Sequence, residues 1–283
     1  MKKSTVVLVI SFFLLNFFTG LNFVKNVSAD TGASTLYVGG NNPSNYTTIQ
    51  DAVEAANKGD TVYVYNGTYY ENIKIIKSIN LVGEDKNNTI IDGKRAHSVI
   101  YITADGVSIT GFTIQNGSRD NYLRAGIEIY SVDNKIKGNI ITDNLVGIHP
   151  LFAGAINKGG NNTFIGNIVT KNDMDAFCIH SSYNIIRHNH IKNNAGGIFL
   201  QINAVGNIIE QNNFVNNGHQ AGFYKARLTH WDNNYWDNWI GLENFFLKWC
   251  PKMIPKCIPF MNEFRRIPWP SFDFHPASKP FNI

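Results

Sequence analysis

The chain has 283 residues, with 25 Lys and Arg against 21 Asp and Glu. Lys2, Lys3 and Lys25 precede the first acidic residue, Asp30, so removing residues 1–29 lowers the formal net charge from +4 to +1. A near-neutral body excludes the basic footprint of a nucleic-acid-binding protein. No stretch after residue 29 is apolar and long enough to span a bilayer, and none reads as a C-terminal lipid signal.

The first element is a targeting segment. Lys2 and Lys3 lead into an apolar run from Val6 to Leu15 that continues through Phe17 and Phe18, and Val27-Ser28-Ala29 forms a small-residue cleavage signature. Residues 1–29 therefore read as a signal peptide. The alternative, an uncleaved anchor, is disfavoured because Asn16 and Gly20 interrupt the run below spanning length. The mature chain is expected to be secreted, at the cell surface or in a periplasm-like envelope space. It has an odd number of cysteines for such a compartment. Cys250 and Cys257, flanking Pro251 and Pro255, are the disulfide candidate, the alternative being two buried thiols; Cys178 is left over.

Residues 47–57 (TTIQDAVEAAN) put Ile49, Ala52, Val53 and Ala56 on one helical face, and Thr48 followed by Asp51 makes a start signal of the capping-box kind. The expectation is a short amphipathic helix ended by Lys58-Gly59-Asp60. Thr61-Val62-Tyr63-Val64-Tyr65 then alternates as a strand, with Asn66-Gly67 as its turn. Apolar-x-apolar pairs follow at Ile73/Ile75, Ile79/Leu81, Val99/Tyr101, Val107/Ile109 and Phe112/Ile114.

Four segments, beginning at Asn134, Asn162, Asn184 and Asn207, repeat Asn at positions 0, +5 and +10, and their starts are 28, 22 and 23 residues apart. A period in the twenties describes a coil of stacked rungs, each burying its apolar side only against its neighbours. The first strand of each rung aligns as GIEI at Gly126, GIHP at Gly147, AFCI at Ala176, GIFL at Gly197 and GFYK at Gly222. Alternation turns Ile127, Ile129, Phe177, Ile179, Ile198 and Leu200 inward. It turns Glu128, His149, Cys178 and Phe199 outward, with Tyr130, Leu151, His180 and Gln201 in the next outward file. The second and third strands bury Ile136/Ile141, Phe164/Val169, Ile186/Ile191 and Ile209/Phe214. The periodic Asn then fall at the bends, where Asn tolerates left-handed backbone and can bond its amide to the Asn of the next coil. Seven to eight coils at about 4.8 Å each make a rod about 35–40 Å long.

Residues 47–85 are similar to the entry segment of the pectin-lyase-like parallel β-helices, where a capping helix leads into Gly-Thr-Tyr-x-Glu, here Gly67 to Glu71. NNYWDN, from Asn233 to Asn238, resembles the element that closes NosD-like repeats, and residues 106–217 match the generic coil. The mature chain thus resembles the NosD-like, carbohydrate-binding and sugar-hydrolase repeat family over most of its length. The resemblance implies an all-β fold: a right-handed single-stranded parallel β-helix with three strands per coil. The coil is expected over residues 30–229, with the capping helix at 47–57 and an irregular Trp/Pro-rich cap over 230–283. It does not imply one activity, because this coil hosts lyases, hydrolases, esterases, epimerases, adhesins and a copper-site maturation protein.

Esterases of the fold use two facing Asp and an Arg; Gln115 in FTIQN matches, but the Asp-Phe-Ile-Phe-Gly segment is absent. The polygalacturonase signatures Gly-His-Gly and Arg-Ile-Lys are absent too, so the resemblance supplies no hydrolytic carboxylate pair. A lyase needs calcium on several carboxylates beside a basic residue. Asp173 and Asp175 are the close pair here, and they read as a turn feature, with a calcium site as the alternative. No complete acid–base set is visible, and catalysis is left open.

The outward file is sharper. Glu128, His149 and Cys178 should lie on successive coils about 4.8 Å apart, with His180 two residues past Cys178 on the same face. His149, Cys178 and His180 are candidate ligands for copper or zinc, which accept imidazole and thiolate; calcium is the third candidate, through the lyase comparison. The alternative is a Cys178 that packs as a small apolar residue. His188-x-His190 falls at a bend with its neighbours on different faces. Inserts at residues 117–124 and 151–161 lengthen the coil beside the first strand. Between them a groove is expected, with Glu128, Tyr130, His149, His180, Phe199 and Gln201 on its floor and Arg119 and Arg124 at its side, suited to a sugar chain. Trp231, Trp236 and Trp239 read as core of the cap, with a sugar platform as the alternative. Asn45, Asn66, Asn87, Asn116 and Asn161 head glycosylation sequons. The expected function is binding, with processing as an extension, of polysaccharide or cell-surface glycan at the envelope. The competing readings are a surface or adhesion protein that meets an envelope protein partner, and a metallocofactor assembly factor.

Overall fold

The computed structural model describes residues 32–151, 160–238, 252–254, 271–273 and 275–283. Cys250, Cys257, Trp239 and the second insert from residue 152 to 159 lie outside the described residues. Within them the chain winds as a right-handed parallel β-helix, three strands to a coil, which stack into sheets of eleven, seven and eight strands.

The strands are two to five residues long, so each carries only one or two inward side chains. Lys135–Lys137 shows the pattern, with both lysines exposed and Ile136 buried between them. Parallel register lines such residues up along the axis. One file runs through Ile109, Ile136, Phe164, Ile186, Ile209 and Trp231. A second runs through Ile114, Ile141, Val169, Ile191, Phe214 and Trp236. All of these are fully or almost fully buried, each worth about 1.5–3 kcal/mol of apolar burial. The parallel ladder therefore continues past Thr229, where the sequence reading ended the coil: Trp231 and Trp236 occupy inward positions of one more rung, and Trp236 stacks on Phe214 at 4.1 Å between ring centroids. They are coil core and present no platform to a sugar.

The fifth first-strand rung needs a correction. The strand His219–Phe223 pairs Gly196 with His219, Ile198 with Ala221 and Leu200 with Phe223, so the rung is QAGF and begins two residues before the expected GFYK. A two-residue shift keeps the inward face inward. It places Ala221 and Phe223 in the core and leaves Lys225 exposed, whereas the GFYK alignment would have buried a lysine.

At the bends, the Asn at positions 0, +5 and +10 form three ladders. In the middle one, Asn139, Asn167, Asn189 and Asn212 each donate a side-chain N–H to the side-chain oxygen of the next Asn, at 3.3, 3.0, 3.0 and 3.0 Å, ending on Asn234. The accepting oxygen also takes the backbone N–H of the preceding Asn, as Asn189 Oδ1 does from Asn167 at 3.0 Å. The second amide hydrogen goes to carbonyls of the bend; Asn189 serves Phe164 and Arg187. The ladder Asn do not themselves adopt left-handed backbone, contrary to the expectation. The residue just before each one does: Asp133, Gly138 and Asp143 in one coil, with φ of 60°, 65° and 57°, and Tyr183, His188 and Asn193 in another, with φ of 58°, 52° and 56°. The kink at the preceding residue aims the Asn side chain into the corner, where its amide meets carbonyls that the short strands leave unpaired.

Both ends of the stack are covered. A strand absent from the sequence reading, Thr35–Val38, pairs with Thr61–Val64, and helix α1 (Ile49–Ala55) lays Ile49, Ala52 and Val53 over the first coil. Thr48 accepts from the Asp51 N–H as expected. The carboxylate of Glu71 takes the remaining first-turn N–H groups, those of Ile49 and Gln50, both at 2.9 Å. That is the physical content of the Gly-Thr-Tyr-x-Glu segment: its Glu caps the helix that precedes it. At the other end, Ser271–Asp273 runs parallel to the last coil strand and antiparallel to Lys252–Ile254. Asp273 is fully buried and accepts from the Asn234 N–H, the Asn234 side chain and the Trp236 indole, each at 3.0 Å. Among the described residues no helix is long and apolar enough to cross a membrane.

Two expected outcomes follow from these contacts. Asn189→Ala strands several buried bend groups at once and should lower unfolding stability by about 3 kcal/mol in urea titration. Glu71→Ala should cost about 1–2 kcal/mol, the loss of a helix cap, and should raise hydrogen exchange at Ile49 and Gln50 while leaving amides of the middle coils unchanged.

Candidate functional site

The seven-stranded sheet carries the outward file of interest. Strand Ala125–Ile129 pairs with Val146–Pro150 so that Glu128 faces His149, and with Ile100–Ile102 so that Glu128 also faces Tyr101. The pairs Ile148 with Phe177 and Cys178 with Phe199 extend the register. Gly147 permits the close stacking at the corner, because a Cβ there would lie 2.5 Å from the Ala176 carbonyl oxygen. The result is a line Tyr101, Glu128, His149, Cys178 and Phe199 parallel to the coil axis.

Outward does not mean exposed. Glu128 is 3%, His149 0% and Cys178 8% accessible, so none of the three is the open groove floor that was expected. The insert at residues 117–124 supplies part of the reason. The Leu123 carbonyl accepts a hydrogen bond from His149 Nδ1 at 3.2 Å, and the Arg124 guanidinium lies 3.5 Å from Glu128 Oε2. Ser98 Oγ donates to the same carboxylate oxygen and in turn accepts the Ala125 N–H at 3.1 Å. Arg119 turns away from this file and pairs with Asp173 at 2.6 Å. Asp175 meets His219 at 3.1 Å, so the two aspartates of the supposed calcium pair have different partners. Four of the groove-floor candidates remain half-exposed: Tyr130, His180, Phe199 and Gln201. Tyr130 packs against Tyr101 with ring centroids 5.5 Å apart.

His149, Cys178 and His180 converge. One ligand atom from each lies within 4.8 Å of the other two, and among the described residues this is the group of His, Cys, Asp or Glu side chains so arranged. Cys178 Sγ is 3.8 Å from His180 Nε2 and 3.8 Å from the amide nitrogen of Gln201. The two imidazoles lie 5.1 Å apart, tilted by 48°. A carbonyl can only accept, so the bond to Leu123 puts the His149 proton on Nδ1 and leaves Nε2 with its lone pair. That Nε2 is buried and has no hydrogen-bond partner among the described residues.

Burial dominates the electrostatics. It pushes the His149 imidazole down to about 4, with His180 adding to the effect and the Leu123 hydrogen bond opposing it. It also holds His180 below the ordinary histidine value. Burial pushes the Cys178 thiol up to about 12, reinforced by the charge of Asp175, so by itself Cys178 is no nucleophile at neutral pH. Tyr130 is pushed up to about 12 by burial and then by Glu128. The cluster is thus two neutral imidazoles and a thiol beside a clamped carboxylate. His190 is half-buried on its own strand and His188 lies at a bend against Phe281, so neither joins the cluster.

Of the sequon asparagines, Asn66, Asn87 and Asn161 are exposed. Asn45 and Asn116 are half-buried, their amides engaged by the Gly39 carbonyl and by Asp92. Sequence reasoning missed Ser98, Tyr101 and the Leu123 carbonyl. Tyr101 was readable as the Glu128 position one coil earlier; a backbone carbonyl has no sequence signal.

Comparison with known proteins places this geometry on a familiar scaffold. The chain is similar to pectin methylesterase from carrot, with 13% identity and a TM-score of 0.52 over 75% of this chain and 79% of that one. It is similar to Escherichia coli ybhc at 11% identity and a TM-score of 0.52, covering 74% and 77%. Pectin methylesterase PemA from Erwinia chrysanthemi gives 10% and 0.50, covering 71% and 82%. At such identities the likeness is one of fold. No curated protein matches the sequence. The family described as right handed beta helix region matches residues 42–238, the span over which the described strands form the coil, and the chain belongs to that family.

Proposed function

We propose that this protein binds a polysaccharide along the outer face of its seven-stranded sheet. The observation that carries the reading is the half-exposed row on that face, Tyr130 backed by Tyr101, then His180, Gln201 and Phe199. Aromatic and hydrogen-bonding side chains spread over successive coils of one face suit a chain of sugar rings laid parallel to the axis, by stacking plus hydrogen bonds. The fold it shares with pectin methylesterases supports a saccharide ligand. The leader read at residues 1–29 supports action outside the cytoplasm, at the cell envelope.

Binding is favoured over turnover because the acidic groups near the face are engaged. Glu128 is held by Ser98 and Arg124, and Asp173 and Asp175 by Arg119 and His219. A hydrolase of the usual kind needs two carboxylates free to work across the scissile bond, and each of these three already has a protein partner.

The test is a panel of acidic and neutral polysaccharides in affinity electrophoresis, with calorimetry on any oligosaccharide that binds. Wild type should bind at least one, and Phe199→Ala should weaken that binding by about 1 kcal/mol, roughly five-fold, without changing thermal stability. Absence of binding across the panel, or a Phe199→Ala protein that binds as wild type does, would sink the proposal.

A further inference from the structure

The geometry points to a binding site for one zinc-class metal ion, a divalent, borderline-soft cation held by His149 Nε2, Cys178 Sγ and His180 Nε2, with a fourth position open to water. The inference shares His180 with the row proposed to bind glycan but does not rest on that reading; it is tested without sugar, so the two can fail separately.

The main observation is the orphaned nitrogen. His149 is fully buried, its Nδ1 proton is engaged by the Leu123 carbonyl, and its Nε2, the ring nitrogen left as a ligand, has no donor to accept from among the described residues. A buried acceptor left without a partner costs about 1–3 kcal/mol, and a cation at this point removes that cost. The arrangement is also the one that metal-ligating histidines adopt: one ring nitrogen donates to a backbone carbonyl, which fixes the tautomer and the ring plane, and the other meets the ion.

Distance and chemistry agree. Zinc sits about 2.0–2.1 Å from imidazole nitrogen and about 2.3 Å from thiolate sulfur, so tetrahedral geometry separates the two ligand atoms by about 3.6 Å. Cys178 Sγ and His180 Nε2 are 3.8 Å apart. The ligand atom of His149 lies within 4.8 Å of the other two, about an ångström beyond the tetrahedral separation, a gap that adjustment of the three side chains around an ion has to close. Nitrogen and sulfur donors select a soft or borderline ion over calcium or magnesium, which take oxygen. Gln201 donates toward the sulfur from outside the ligand set. His180 is the half-exposed member, so the ion enters from its side. Cys178 binds as the thiolate, its proton passing to solvent as the metal–sulfur bond forms.

The experiment is a titration of chelator-treated protein with Co²⁺, a spectroscopic stand-in for zinc, followed by competition with Zn²⁺ and metal analysis after dialysis. Wild type should take up one equivalent, show a thiolate-to-cobalt charge-transfer band, and lose that band as zinc displaces cobalt. Cys178→Ala should abolish the band, and His180→Ala should weaken zinc binding by at least the roughly 10- to 100-fold that loss of an outer partner costs. Both positions lie on the outer side of the sheet, so both variants should keep the circular dichroism of wild type. Wild type without a stoichiometric thiolate band overturns the inference whatever the variants do, and so does a band that survives in Cys178→Ala.

Discussion

A coil whose strands are two to five residues long has about as much corner as strand, and corners leave backbone groups that no sheet can pair. Here the buried asparagine amides pair them. Each amide takes two hydrogens from the coil before it and gives its own to the coil after it and to the carbonyls of the bend, as at Asn167, Asn189 and Asn212. Three such columns, one per corner, hold the coils in register, and everything on the outer faces inherits that register. The placement of Glu128 beside His149, and of Cys178 beside Phe199, is a consequence of the interior amides.

What distinguishes the candidate site from the rest of the rod is the interruption of that regularity. The insert at residues 117–124 lies against one face, where a backbone carbonyl orients His149 and an arginine meets Glu128. A regular coil alone would have presented these side chains to water, each with ordinary protonation behaviour. Burial leaves the imidazoles and the thiol of one small cluster neutral at physiological pH. A buried nitrogen with an unpartnered lone pair, His149 Nε2, therefore sits on the same sheet as the half-exposed Tyr130 and Phe199.

The sequence made the coil legible because its signals are periodic and local: a spacing of five between asparagines, aliphatic residues two or three from each, and a Thr-x-x-Asp start before the helix. It made the outward file legible too, since a two-residue alternation assigns faces once the rungs are aligned. The rest depended on what period cannot carry. Alignment failed at Gly222, where the Asn spacing no longer separates two registers that share parity. The expectation of left-handed asparagines failed because the kink falls one residue before each ladder asparagine; that position is mostly Gly, Asn or Asp, but Lys171, Tyr183, His188 and Gln211 also take it, so its signature is broken along the chain. Burial of the file was invisible because it arises partly from the Leu123 carbonyl, which any residue could provide.

The last rung has a property of its own. The amides in the middle column all donate toward the C-terminus, so the column is a directed chain of donors, and another asparagine at its end would offer a hydrogen to whatever came next. The residue there is Asp273, which accepts from Asn234 and Trp236 and, as a carboxylate, has no hydrogen to pass on. A single atom's difference in side chain thus acts as a terminator: it closes the hydrogen-bond polarity of the stack from within, and leaves a second molecule no unspent donor in that column on which to continue the coil.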